Sequence, residues 1–98
     1  MEKVINLLAV CGSGTVSSTM VAEKASAYIE SLGYTVNSQE LNPQQASERI
    51  PEGQFDIVVY TSPIPGNFDV PIINGTGLLT GIGEEEVYSQ IKKALKIE

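Results

Sequence analysis

Val4-Ile5-Asn6-Leu7-Leu8-Ala9-Val10-Cys11, followed by Gly12-Ser13-Gly14-Thr15-Val16-Ser17-Ser18, is the stretch on which the fold turns. Val4 to Val10 is almost continuously apolar, the pattern of a strand buried on both faces, as in a parallel sheet. The strand ends at Cys11. The next seven residues have turn composition, with hydroxyls suited to capping a helix. Beyond them Val21, Ala25, Tyr28, Ile29 and Leu32 recur at helical spacing until Gly33 breaks the pattern. The opening unit therefore reads strand, loop, helix.

Working outward, Tyr34 to Leu41 mixes polar and β-branched residues, as an edge strand with one wet face does. Asn42-Pro43, with Gln45 three residues after the Asn, is a helix-start signature for a short helix that Pro51 and Gly53 close. Phe55 to Thr61 is a second buried strand, and Val70 to Asn74 a shorter one. Ser62 to Asp69 holds Pro63, Pro65 and Gly66, and Gly75 to Gly83 holds four glycines, so both segments are expected to be loops. The last helix starts near Glu84. Glu84, Glu85 and Glu86 sit in its first turn and Lys92, Lys93 and Lys96 near its end, as the helix dipole favours, with Val87, Ile91, Ala94 and Leu95 facing inward.

Strands alternating with helices imply an α/β fold in one three-layer domain spanning residues 1–98. Its four-stranded parallel sheet has the order 2-1-3-4, with right-handed crossovers placing helices on both faces, in the manner of Rossmann-like and low-molecular-weight-phosphatase-like domains. In such sheets the functional crevice lies beyond the carboxyl ends of the central strands, where Cys11, Thr61-Ser62 and the glycine loop after Asn74 should converge.

The 98 residues, 42% of them hydrophobic, suit one core. The longest uninterrupted apolar run, Leu7 to Cys11, is far short of the roughly 20 residues of a membrane helix, and the amino terminus lacks a signal-peptide pattern. A cytoplasmic protein without membrane insertion is expected. The formal charge of −6, with six scattered or C-terminal basic residues, argues against nucleic acid as a partner. One cysteine excludes an internal disulfide, and the lack of histidine excludes a Cys/His zinc site and a Ser-His-Asp triad. No metal is expected.

A lone cysteine ending an apolar strand is most often a small buried apolar residue. The neighbours of Cys11 point further. Glycines at 12 and 14 followed by a helix start allow several backbone N–H groups to converge near the sulfur, which makes an anion cradle and favours the reactive thiolate. The backbone and hydroxyls of Gly12, Ser13, Gly14, Thr15, Val16, Ser17 and Ser18 are thus candidate phosphate ligands and Cys11 the candidate nucleophile. For any single hydroxyl, ordinary helix capping is the commoner role and outranks ligand contact. No charged residue occurs between Lys3 and Glu23, so no carboxylate within the loop repels an anion. Asn74-Gly75-Thr76 fits a glycosylation sequon, which in a cytosolic protein is chance.

Competing motifs fail by position. A dinucleotide fingerprint from Gly12 requires glycine where Ser17 stands, a nucleoside-triphosphate loop requires an absent Gly-Lys pair, and a thioredoxin pair requires cysteine at Gly14. A cysteine phosphatase would carry arginine at Ser17, to stabilise transition-state charge. Without it the loop is better suited to holding a phosphoryl group than to hydrolysing it.

Over nearly its whole length the chain resembles the galactitol-type enzyme IIB family of the bacterial phosphoenolpyruvate-dependent sugar phosphotransferase system, within the lactose/ascorbate-like IIB superfamily. The resemblance rests on Val10-Cys11-Gly12, Ser17-Ser18-Thr19-Met20, Thr61-Ser62, Val70-Pro71-Ile72 leading into Gly75, and Gly81-Ile82-Gly83. It implies that Cys11 accepts phosphate from a phosphohistidine of enzyme IIA and passes it to a sugar or sugar alcohol, galactitol first among them, held by the membrane-embedded enzyme IIC. It implies no cofactor, the phosphate being carried covalently, and only a transient visit to the inner face of the membrane. Departures in Ser13 to Val16 and Pro63-Ile64-Pro65 leave the sugar open. A low-molecular-weight cysteine phosphatase-like enzyme and a regulatory IIB-like domain remain as alternatives, the first opposed by Ser17 and the second by a chain that ends at Glu98 with no fused segment.

Overall fold

The computed structural model describes residues 4–11, 15–53, 55–62, 64, 66 and 68–95; of residues 15–18 only the backbone is described. Strand β1 spans Val4–Val10, helix α1 Thr15–Ser31, β2 Thr35–Leu41, α2 Pro43–Arg49, β3 Ile57–Tyr60, β4 Ile72–Asn74, α3 Thr76–Thr80 and α4 Glu84–Ala94. All strand pairings are parallel, in the order β2-β1-β3-β4. The expected sheet is the observed one.

Two apolar layers flank the sheet, and strand parity decides which residue enters which. Ile5, Leu7 and Ala9 of the first strand, and Cys11 just beyond it, join Ile57, Val59 and Ile73 under α1, α3 and α4, which contribute Val21, Ala25, Ile29, Leu78, Val87 and Ile91. Leu8, Val10 and Val58 face the other way, toward Ala46, Ile50 and Phe55 around α2. Burial on both faces is why β1 and β3 read as nearly continuous apolar runs. On the α2 side no helix among the described residues covers β4; the half-buried Ile64, Phe68 and Val70 of the connection between β3 and β4 pack there instead.

Asn42 caps α2 as its sequence predicts: Asn42 Oδ1 accepts the Gln45 backbone N–H at 2.7 Å, and Gln45 Oε1 accepts that of Asn42 at 3.2 Å. A short 3-10 turn, Ile50–Glu52, follows, and Gly53 ends it at φ 79°, so Pro51 lies inside the closing turn and Gly53 supplies the left-handed residue.

Three expectations need correction. Thr15 to Ser18 are the first turn of α1 rather than loop, which begins earlier because Val21, Ala25 and Ile29 anchor the helix to the sheet. The segment from Gly75 to Gly83 is not all loop, since it contains α3, held by buried Leu78. The strands expected at Phe55–Thr61 and Val70–Asn74 are trimmed to Ile57–Tyr60 and Ile72–Asn74.

Helix α4 buries Val87 and Ile91, with Ala94 and Leu95 packed at the margin. It is tied to α1 by the Lys24–Glu84 ion pair at 2.6 Å and by the stacked rings of Tyr28 and Tyr88, with centroids 4.4 Å apart and 14° between planes. Lys96 lies outside the described residues.

Candidate functional site

Register brings the candidate residues together. Val10 pairs with both Leu41 and Tyr60, and Tyr60 pairs with Asn74, so one step farther along the sheet Cys11, Thr61 and Gly75 form a row. Their backbones extend the ladders: Cys11 N–H donates to Leu41 C=O at 3.2 Å, Thr61 N–H to Val10 C=O at 2.8 Å, and Gly75 N–H to Tyr60 C=O at 2.6 Å. Because side chains alternate, all three residues project toward the α1 side. The convergence expected of Cys11, Thr61 and the segment after Asn74 is what the fold builds.

Cys11 is a free cysteine, 6% exposed. Its sulfur has a direct partner in a residue that the sequence placed in the same crevice: Thr61 Oγ1 lies 2.9 Å from Cys11 Sγ, and 3.4 Å from the Val10 carbonyl oxygen. Sequence reasoning placed Thr61 at this end of the sheet but not on the sulfur, because the pairing offset between β1 and β3 fixes that contact. The missed signal was parity, counted from Val10 and Tyr60.

Gly75 makes the row compact. A Cβ there would lie 2.3 Å from Val59 Cγ1 and 3.5 Å from Val21 Cγ1. The Asn74 carboxamide oxygen accepts both the backbone N–H of Thr76, at 2.9 Å, and its hydroxyl, at 2.6 Å, which turns the chain directly into α3. Gly77 is also required, since a Cβ would stand 2.9 Å from the Ile82 carbonyl oxygen.

Of the candidate phosphate ligands, Gly12, Ser13 and Gly14 lie outside the described residues. Thr15, Val16, Ser17 and Ser18 are the first four residues of α1, whose N–H groups have no acceptor one turn earlier in the helix and mark its electropositive end. No acidic residue occupies that first turn. The carboxylate-free segment does not stay isolated in space, however. Glu40, near the end of β2, reaches α1 and accepts the Thr19 hydroxyl at 3.0 Å.

A separate groove of about 510 Å³, lined by Ile50, Phe55, Asp56, Phe68, Asp69 and Val70 among others, opens at the amino-terminal ends of β3 and β4, away from Cys11. Among the described residues its lining has no thiol or hydroxyl side chain. Among the described residues no cluster of His, Cys, Asp and Glu suits a metal ion.

A row of strand ends carrying a buried thiol in front of a helix start is shared by more than one protein class, and the comparison with known proteins separates them. Residues 6–95 match the family described as PTS system, Lactose/Cellobiose specific IIB subunit. The chain belongs to this IIB family. The IIB chain is 30% identical over 91 residues to a putative phosphotransferase enzyme IIB component, SgcB, of Escherichia coli (strain K12), a match covering 91% of this chain and 95% of that protein. Its fold is that of the solution structure of an enzyme IIB subunit of the PTS system from Escherichia coli K12, with a TM-score of 0.57 at 15% identity over 98% of this chain and 96% of the other. It is therefore a phosphotransferase component, whose family works in general with IIA and IIC components. No helix among the described residues is long and apolar enough to cross a membrane.

Proposed function

We propose that this IIB component carries the phosphoryl group on Cys11, taking it from a phosphohistidine of enzyme IIA and giving it to a sugar or sugar alcohol bound by enzyme IIC. The observation that carries this reading is the position of Cys11: at the end of the central strand, one row beyond the sheet and beside the Thr61 hydroxyl. The chain has no histidine, so each phosphohistidine of the relay belongs to a partner. The N–H groups at the start of α1, with the segment 12–14, would hold the phosphoryl oxygens, and transfer would rest on positioning and electrostatics. No cofactor takes part, and the component works in the cytoplasm, meeting the membrane only through IIC.

Galactitol is the first substrate to test, on the strength of the resemblance of Val10-Cys11-Gly12 and Gly81-Ile82-Gly83 to galactitol-type IIB proteins; lactose and cellobiose, after which the matched family is named, are the comparators.

The deciding experiment is reconstitution with phosphoenolpyruvate, the general relay proteins and the cognate enzyme IIA, read by intact mass. Wild type gains one thiol-linked phosphate and Cys11→Ser gains none. Equal labelling of Cys11→Ser, or none of wild type, rejects the reading. Steady turnover of a chromogenic phosphate ester that depends on Cys11 would instead establish a phosphatase.

A further inference from the structure

We infer that the Thr61 hydroxyl is the leaving-group partner of the Cys11 sulfur, a hydrogen bond that strengthens as the phosphoryl group departs. The inference rests on the carrier reading above. Thr61 has one hydroxyl hydrogen to donate and two acceptors in reach, Cys11 Sγ at 2.9 Å and the Val10 carbonyl oxygen at 3.4 Å. Which one it serves depends on the charge of the sulfur.

A sulfur bonded to both Cβ and phosphorus is uncharged and a weak acceptor, so in the phosphocysteine the hydroxyl turns to the Val10 carbonyl. When the phosphoryl group leaves, the P–S bond breaks and its electron pair stays on sulfur as a thiolate. In discharge to the donor protein, a neutral imidazole nitrogen supplies the pair for the new P–N bond and the proton of its other ring nitrogen passes to water. The developing negative sulfur then recruits the Thr61 O–H, a charge-assisted bond stronger than the neutral one it replaces. An interaction gained on the way to the transition state lowers the barrier to departure, whereas one present equally throughout would not. The sheet fixes the donor in place, because Thr61 N–H is bonded to the same Val10 carbonyl at 2.8 Å. Burial of Cys11, 6% exposed as a residue, leaves few water molecules to do the same work.

The test compares wild type, Thr61→Val and Thr61→Ser. Each is charged through the relay, separated from the donor and mixed with unphosphorylated enzyme IIA in a quench-flow instrument, and loss of phosphocysteine is followed by intact mass. Thr61→Val should discharge about tenfold more slowly, equivalent to about 1.4 kcal/mol on the barrier. Its charging should not slow, because the same bond is given up when the thiolate is phosphorylated, so that phosphocysteine is favoured at equilibrium, and Thr61→Ser should discharge like wild type. A purely structural role would slow both directions together and would not be rescued by serine; that outcome, or wild-type discharge by Thr61→Val, overturns the inference. Thr61→Ala carries the same prediction if valine's second methyl disturbs folding. Absence of phosphate on wild-type Cys11 would reject the carrier reading itself, whereas normal charging with unaltered discharge rejects the role of Thr61 alone.

Discussion

Replacing Gly75 by alanine tests how tightly the row of strand ends is packed. The new methyl would stand 2.3 Å from Val59 Cγ1, more than 1 Å inside the roughly 3.5–4.0 Å of an ordinary carbon contact. Val59 is fully buried and cannot swing into solvent. Either its rotamer or the backbone of Gly75 has to move, and the latter is bonded to the Tyr60 carbonyl at 2.6 Å. Overpacking of this kind costs about 1–3 kcal/mol. Taking about 2 kcal/mol, and about 4–8 °C per kcal/mol in a domain of this size, the melting temperature should fall by roughly 8–16 °C. Val59→Ala alone removes two methyl groups, worth about 1.6 kcal/mol of transfer free energy before any cavity term. The double variant places the alanine methyl in the space left by Cγ1, so its cost should fall below the sum of the single costs by about 1 kcal/mol or more. Urea unfolding of the four proteins followed by circular dichroism measures the cycle. Additivity of the two substitutions, or a Gly75→Ala protein that melts with wild type, would refute the packing argument.

Two further outcomes are expected. Asn42→Ala removes the side-chain half of the α2 capping box and should destabilise the protein by about 1 kcal/mol in urea unfolding, while Asn42→Asp retains most of the stability. Tyr88 titrates above its ordinary value of 10.0, chiefly because burial disfavours the phenolate and then because of the Glu84 carboxylate, with Lys24 opposing. A raised folded-state value means that its contribution to stability is fully present below pH about 10 and is lost as the pH rises through the folded value. An ultraviolet phenolate titration should therefore lose a component that titrates above pH 10.0 in Tyr88→Phe, and unchanged curves would contradict the assignment.

The elements with strong local signals were legible from the sequence. Val4–Val10 is an apolar run bounded by Cys11 and Gly12, and its span matches the observed strand residue for residue. The capping box of Asn42 and Gln45 and the charge gradient from Glu84 to Lys93 belong to single helices and need no tertiary knowledge. The sheet order followed from element alternation and crossover handedness. Thr76-Gly77-Leu78-Leu79-Thr80 escaped because five residues with an internal glycine show too little periodicity; this helix exists through burial of Leu78 and the close approach of Gly77 to Ile82. Thr15 to Ser18, rich in hydroxyl and β-branched residues, have weak helix propensity, and packing of the following turns overrides it. Cys11 was recognisable from its neighbours in sequence, but its contact with Thr61, 50 positions away, depends on pairing register, which no local pattern encodes.

The alternation along β1 acts as a reading frame for the site. Leu7, Ala9 and Cys11 lie in one phase and Leu8 and Val10 in the other, each phase committed to a different apolar layer. Inserting or deleting one residue between Leu7 and Val10 would preserve composition and hydropathy, yet would put the thiol out of phase with Thr61 and turn it toward the layer around α2. The first strand is thus a segment in which length drift is silenced more severely than substitution: Leu can exchange with Ile there at modest cost, while the count of residues up to Cys11 has to stay fixed.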